Sequence, residues 1–181
     1  MIKIVGFSGS LRPTSYSRQA LHLAGQKAEA LGAAVTLLDL RDLDLPFCDG
    51  TDELDQHPGV IKLRQSVEAA DGLILVTPEY HGAVSGVLKN ALDLLSFEHL
   101  SGKVTGAISV LGGQANSNAL NQLRLITRWV HAWMIPEQVA IGQAWNAFDD
   151  EERLKDEKLD QRLTQFVENL VRAAGTLSQR A

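Results

Sequence analysis

The sequence predicts an α/β domain: a doubly wound, five-stranded parallel sheet with helices on both faces. Apolar runs of strand length alternate with stretches whose apolar residues recur at helical spacing, from the first residues to the last. The run Leu73-Ile74-Leu75-Val76 is continuously apolar, as a parallel strand buried on both faces requires. Five such βα units in succession need right-handed crossovers, which put helices on both faces of the sheet. At 181 residues the chain has the length of one well-buried domain, expected to span 1–181.

The first strand is Ile2 to Phe7. A helix follows from about Ser17 to Leu31, with Leu21, Ala24, Ala28 and Leu31 as its stripe and Gly32 placed to end it. Ala34 to Leu38 is the second strand, and residues 39–55 form an acidic connection. Pro58 suits a first helical turn, and Val60, Leu63, Val67 and Ala70 continue that helix up to the break at Asp71-Gly72. After the third strand, Ser85 caps a helix carrying Leu88, Ala91, Leu92 and Leu95. Val104 to Leu111 is the fourth strand. Asn116 or Ser117 caps a helix with Leu120, Leu123, Ile126 and Val130. Gln138 to Ile141 is a weaker fifth strand, and Leu159, Leu163, Phe166 and Leu170 mark a final helix. The charged run Asp149 to Lys158 reads as a solvated loop and helix start.

Composition removes several function classes. Hydrophobic residues at 45% and charged residues at 22% argue against disorder. A net charge of -5 offers no attraction to nucleic acid or anionic lipid. No apolar stretch reaches the length of a membrane-spanning helix. The N-terminal residues lack a signal peptide pattern and Cys48 has no disulfide partner, so a cytoplasmic location is expected. Cys48 also lacks a CxxC mate, and His22, His57, His99 and His131 show no metal-ligand spacing.

Periodicity does not choose between the two common strand orders of such a sheet. In both, ligands bind beyond the carboxyl ends of the strands, where strand order reverses. That rule points to three loops. The first, Ser8-Gly9-Ser10-Leu11-Arg12-Pro13-Thr14-Ser15-Tyr16-Ser17-Arg18, is rich in hydroxyls and leads into a helix N-terminus. Those are the parts a phosphate monoester needs: free amides, a positive helix end, hydroxyl donors and the Arg12 guanidinium. There is neither a GxxxxGK[ST] loop nor a GxGxxG loop, which excludes the better-known nucleotide cradles, although Asp39 does end the second strand.

The second loop, Thr77-Pro78-Glu79-Tyr80-His81-Gly82-Ala83-Val84-Ser85-Gly86, holds open backbone beside an aromatic residue and suits a planar heterocycle read along its edge. Glu79 and His81 are weak evidence for acid–base chemistry, and His81 reads better as a hydrogen-bonding or stacking residue. The third loop, Leu111-Gly112-Gly113-Gln114-Ala115-Asn116-Ser117, permits close backbone approach through its paired glycines, or is an ordinary turn.

Gly9-Ser10-Leu11-Arg12-Pro13-Thr14-Ser15-Tyr16-Ser17, Thr77-Pro78-Glu79-Tyr80-His81 and Gly86-Val87-Leu88-Lys89-Asn90-Ala91-Leu92-Asp93 together resemble the NADPH-dependent FMN reductase family. That family comprises flavin, quinone, azo-dye and chromate reductases of flavodoxin-like fold. The resemblance implies that Ser10, Arg12, Ser15, Tyr16 and Ser17 hold the FMN phosphate. It implies that Pro78, Glu79, Tyr80, His81 and Gly82 line the isoalloxazine, with Gly112 and Gly113 near its outer edge. The family often has Asn at the positions of His81 and Ser17, Pro at that of Ser85, and a hydroxyl residue at that of Leu111.

The activity so implied is FMN-dependent oxidoreduction: hydride passes from NADPH or NADH through FMN to a flavin, quinone, azo or oxyanion acceptor in a ping-pong sequence. The chemistry is the cofactor's, and no catalytic side chain is assigned. The alternative is a flavodoxin-type electron carrier, whose phosphate loop usually lacks an Arg and whose surface is more acidic. Trp129 and Trp133, read as one helical turn apart and off the core stripe, are either core residues or a contact surface. The resemblance favours the latter and implies a homodimer or homotetramer.

Overall fold

The computed structural model describes residues 1–178. Its strands are β1 (Lys3–Ser8), β2 (Ala34–Leu38), β3 (Gly72–Tyr80), β4 (Ala83–Val84), β5 (Val104–Val110) and β6 (Trp133–Ile141). Five of them run parallel in the order β2-β1-β3-β5-β6, and the short β4 folds back antiparallel onto the end of β3. The order reverses between β1 and β3, so the ligand crevice belongs above those two strands.

The helices are α1 (Tyr16–Ala30), α2 (Pro58–Glu68), α3 (Gly86–Asp93), α4 (Phe97–Leu100), α5 (Asn118–Trp129), α6 (Ala144–Ala147) and α7 (Glu157–Ser178). On one face, α1 and α7 cover Ile4, Ile74 and Ile108; on the other, α2, α3 and α5 cover Phe7, Leu75 and Ala107. Consecutive strand residues thus feed opposite cores, which is why β3 and β5 are apolar without alternation. The edge strand β2 is exposed at alternate positions instead.

The structure lengthens two strands beyond the apolar runs that announced them. β3 continues through Thr77-Pro78-Glu79-Tyr80, so most of the second loop is strand. Only His81 and Gly82 form the turn into β4, both left-handed at φ 52° and 72°. Paired positive φ values are what a two-residue hairpin needs, and they favour Asn or Gly over a bulky side chain. β6 begins at Trp133, and this corrects the reading of the two tryptophans. Trp129 ends α5 and Trp133 starts a strand, so they are not neighbours on one helix. They are 71% and 61% exposed, which removes the core alternative.

Three ties fix the loops at the carboxyl edge. Ser85 caps α3 by accepting from the Leu88 amide at 3.2 Å, and donates its hydroxyl to the Gly9 carbonyl at 2.7 Å. Its own amide donates to Thr77 Oγ1 at 3.0 Å. A Cβ on Gly9 would collide with the Ser85 hydroxyl and lie 2.6 Å from Leu88 Cβ, so the first loop needs glycine there. Second, Arg18 donates to the Pro13 carbonyl and, at 3.4 Å, to Asp39 at the end of β2. Third, Glu79 accepts from the Ala119 amide at 3.2 Å, capping α5 from another strand, while Gln122 accepts from Val84. Glu79 thus has a structural duty at the start of α5.

The Asp39 carboxyl is held down to about 2, first by its hydrogen bond from the Arg41 side chain, against a smaller opposing effect of burial. A carboxyl depressed in the folded state adds stability that is complete above the unfolded value of about 4 and fades as pH falls toward 2. The urea midpoints of the native protein and Asp39→Asn should therefore differ most at neutral pH and converge between about pH 4 and pH 2. A gap independent of pH would show that the Asp39 charge contributes nothing.

Candidate functional site

The crevice predicted by the strand order is a cleft of about 460 Å³ bounded by Ser10, Arg12, Thr14, Ser15, Tyr16, Ser17, Pro78, Glu79, Tyr80, Val110, Leu111, Gly112, Ala144 and Trp145. Nine of the twelve residues singled out in the sequence line it. They arrive from separate elements: the β1–α1 loop, the end of β3 and the loop after β5.

At one end, α1 begins with Ser15 as its N-cap, whose side chain accepts from the Arg18 amide at 3.2 Å. The Tyr16 and Ser17 amides have no backbone carbonyl partner among the described residues, as expected at a helix start. Ser10 and Ser17 are only 7% and 3% exposed, yet no side-chain hydrogen bond to either hydroxyl forms among the described residues. Both residues border the cleft, so these hydroxyls and amides are open to a ligand there. Arg12 stands exposed on the same wall without an ion pair among the described residues. The positive end of α1, two unpaired hydroxyls and one guanidinium form a donor set that fits a phosphate dianion.

The other end is flatter and less polar. Pro78 and Glu79 present extended backbone, Tyr80 is 51% exposed at one margin, and Leu111 forms the floor with Val110. Trp145, 67% exposed, stands at the opposite margin on α6. Between these margins there is room for a planar ring, with backbone groups along one edge and aromatic side chains at its sides.

Three predicted residues lie off this cleft. His81 and Gly82 are the hairpin tip, both at positive φ; His81 is exposed and pairs with no other described side chain. Gly113 serves the scaffold, its carbonyl accepting from the Gln143 amide at 2.7 Å. Gly112 does border the cleft, and nothing lies within 4 Å of where its Cβ would be. The sequence reading missed Trp145 and Ala144. The signal was present in the rule already applied, because the loop after β6 also leaves the carboxyl edge, and Gly142 presses it against Ala115. Among the described residues, no cluster of His, Cys, Asp or Glu could hold a metal, and no helix is long and apolar enough to cross a membrane.

Comparison with known proteins agrees with this geometry. The family description "NADPH-dependent FMN reductase" matches residues 2–146. The NADPH-dependent FMN reductase ArsH of Shigella flexneri is 34% identical, the match covering 94% of this chain and 68% of that protein. An NAD(P)H-dependent FMN reductase of Pseudomonas aeruginosa is 36% identical, with 93% of each chain covered. Among solved structures, FerB of Paracoccus denitrificans, a flavoenzyme NAD(P)H:(acceptor) oxidoreductase, superposes with a TM-score of 0.81 at 25% identity, covering 98% of this chain and 99% of that one. A flavodoxin from an archaeon shares the fold at a TM-score of 0.67 and 12% identity, covering 97% and 99%. With a hydroxyl-lined helix start, a flat cleft above the strand reversal and this match over most of its length, the chain belongs to the NADPH-dependent FMN reductase family.

Proposed function

We propose that the chain forms one FMN-binding domain, taking hydride from NADPH or NADH and delivering it to a flavin, quinone, azo or oxyanion acceptor. The observation that carries the placement is the donor set that Ser10, Ser17 and the first amides of α1 present at the cleft, with no hydrogen-bond partner to either hydroxyl or backbone partner to those amides among the described residues. Ser10, Arg12, Ser15, Tyr16 and Ser17 would hold the phosphate. Pro78, Glu79 and Tyr80, with Gly112, would face the isoalloxazine, and His81, Gly82 and Gly113 would shape the loops around it. When bound, FMN supplies the ring that accepts and releases the hydride. The protein's own work is to fix that ring against Pro78 and Leu111 and to leave its far side clear. Tyr80 and Trp145 border the cleft, and donor and acceptor would reach the one flavin in turn, a ping-pong sequence. Oxidoreductase family membership and the absence of a long apolar helix among the described residues fit a small-molecule acceptor and a cytoplasmic setting.

Arg12→Ala should weaken FMN binding by about 1.5–3 kcal/mol, the span for hydrogen bonds to charged groups. Riboflavin, which lacks the phosphate, should bind the variant and the native protein alike in calorimetry. Equal losses for both ligands would place Arg12 outside the phosphate site.

In an anaerobic titration, NADPH should bleach the FMN-loaded protein in one two-electron phase, and initial rates against a quinone should give parallel double-reciprocal lines. Reduction by dithionite but by neither NADPH nor NADH would make the protein an electron carrier.

Leu125 and Trp129 stand four residues apart on the exposed side of α5, and they and Trp133 are each more than 60% exposed. Apolar area of that kind suits a homodimer or homotetramer interface. Light scattering at micromolar protein should return an oligomer, and Trp129→Glu should shift it toward monomer; a native monomer contradicts the proposal.

A further inference from the structure

A second groove, of about 570 Å³, adjoins the cofactor cleft on its β2 side. It is lined by Leu11, Leu40, Leu45, Phe47 and Val87, and it shares Tyr80 with the cleft. Leu11 lies between Ser10 and Arg12, which line the cleft itself, so the two spaces meet along that residue and Tyr80. Of its lining residues, the proposed cofactor placement uses Tyr80 alone. From its lining and its charge, we infer that it is the subsite for the electron acceptor, and that it admits flat apolar acceptors that are neutral or cationic while rejecting anionic ones. This inference rests on the reductase reading and narrows its acceptors to uncharged or cationic ones, setting oxyanions aside.

The apolar part of the argument is exposure. Phe47 is 86% exposed, and Leu11 is 50% exposed, so both offer surface that an aromatic ligand would cover. The Phe47 ring stands on the irregular segment between β2 and the short 3₁₀ turn Asp52–Gln56, with its neighbour Cys48 pinned by Asn90, whose Oδ1 accepts from the Cys48 amide at 2.9 Å. Asn90 Nδ2 donates to the Pro46 carbonyl at 2.9 Å, so the backbone on both sides of Phe47 is tied to α3. The groove wall is therefore held in place without the ligand.

The charge argument decides the acceptor class. Residues 39–56 carry seven carboxylates and one guanidinium, that of Arg41. Arg41 borders the groove, and its Nε donates to both Asp39 oxygens, at 2.9 and 3.1 Å; Arg18 shares that carboxylate, so around the groove Asp39, Asp42 and Asp44 face two guanidiniums and leave a negative balance. Asp44 lines the groove and Asp42 lies beside Arg41; both are exposed, and neither has a salt bridge among the described residues. A sulfonate or carboxylate on an acceptor would meet this negative margin at close range, whereas an uncharged ring would not. Arg12, without an ion pair among the described residues, borders the cleft and not this groove, and the proposed phosphate would engage it there.

With a quinone Q as acceptor the balance is NADPH + H⁺ + Q → NADP⁺ + QH₂. Two electrons leave the nicotinamide with one hydrogen, the second proton comes from solvent, and both quinone oxygens end as hydroxyls.

The test uses the FMN-loaded protein and two matched pairs of probes: a methylnaphthoquinone with a sulfonated naphthoquinone, and the unreactive naphthol with its monosulfonate. At low salt the neutral member of each pair should be favoured by about tenfold, in kcat/KM for the quinones and in calorimetric affinity for the naphthols, and salt should narrow the gap. Asp42→Asn with Asp44→Asn should raise the sulfonated probes at least about threefold while leaving the neutral ones unchanged. Phe47→Ala should raise KM for the neutral quinone about fivefold, leaving FMN affinity and the rate of reduction by NADPH as they were. Equal affinity for naphthol and its sulfonate, or indifference of both to Phe47→Ala, would overturn the inference. So would a Phe47→Ala variant that loses self-association with its acceptor KM intact, since a second copy of the chain would then own the groove. Failure of NADPH to reduce the loaded protein would sink the reductase reading, and the naphthol affinities would still decide what the groove admits.

Discussion

The Ser85 hydroxyl joins the loop after β1 to the start of α3, and the positions of the other cleft residues depend on that join. Its bonds to Gly9 and Leu88, with the amide bond to Thr77, bring β1, β3 and α3 to one point beside the strand reversal. Without a Cβ at Gly9 the loop lies against α3, and Ser10 and Arg12 are turned toward the cleft. The Gly9 amide in turn donates to the Val76 carbonyl at 2.9 Å, so the loop begins as a continuation of the sheet. Arg18 then secures the far half of the loop to the end of β2. A hydroxyl-rich segment free to move would lose entropy on binding a phosphate; one held at Gly9, at Ser15 and by Arg18 has already lost it in folding.

The electrostatic division follows from the same scaffold. The N-terminus of α1 and Arg12 give the cleft a positive end beside the parallel strand tips. The connection after β2, by contrast, carries seven carboxylates and a single guanidinium, Arg41, which pairs with Asp39. Leu11 and Tyr80 lie between these regions. A phosphate-bearing cofactor and an uncharged acceptor would thus be drawn to different sides of one short apolar boundary.

Much of this was legible in the sequence, because two-face burial and helix starts leave local marks. Ser85 was visible as a cap, Gly32 as a stop, and Leu73 to Val76 as a buried strand. What was not legible depends on contacts between distant residues. The antiparallel return of Ala83–Val84 onto β3 extends a strand past its apolar run, and the two positive φ values that permit it are borne by a His and a Gly. The cap that Glu79 gives α5 was hidden because its partner, the Ala119 amide, is 40 residues away. Trp129 and Trp133 are four apart in sequence, but a turn at Val130–Ala132 separates a helix from a strand. Trp145 reaches the cleft only because Gly142 lets the β6 loop press against the β5 loop.

The central claim is that one end of the cleft reads a phosphate and the other a flat ring. Backbone amide NMR tests it most directly, by titrating the protein separately with FMN, riboflavin and inorganic phosphate. The account predicts that FMN shifts the amides of Tyr16 and Ser17 together with those of Glu79 and Tyr80. Phosphate alone should move only the α1 set, and riboflavin only the β3 set. Riboflavin and FMN shifting the same residues to the same extent, with Tyr16 and Ser17 unmoved, would contradict it.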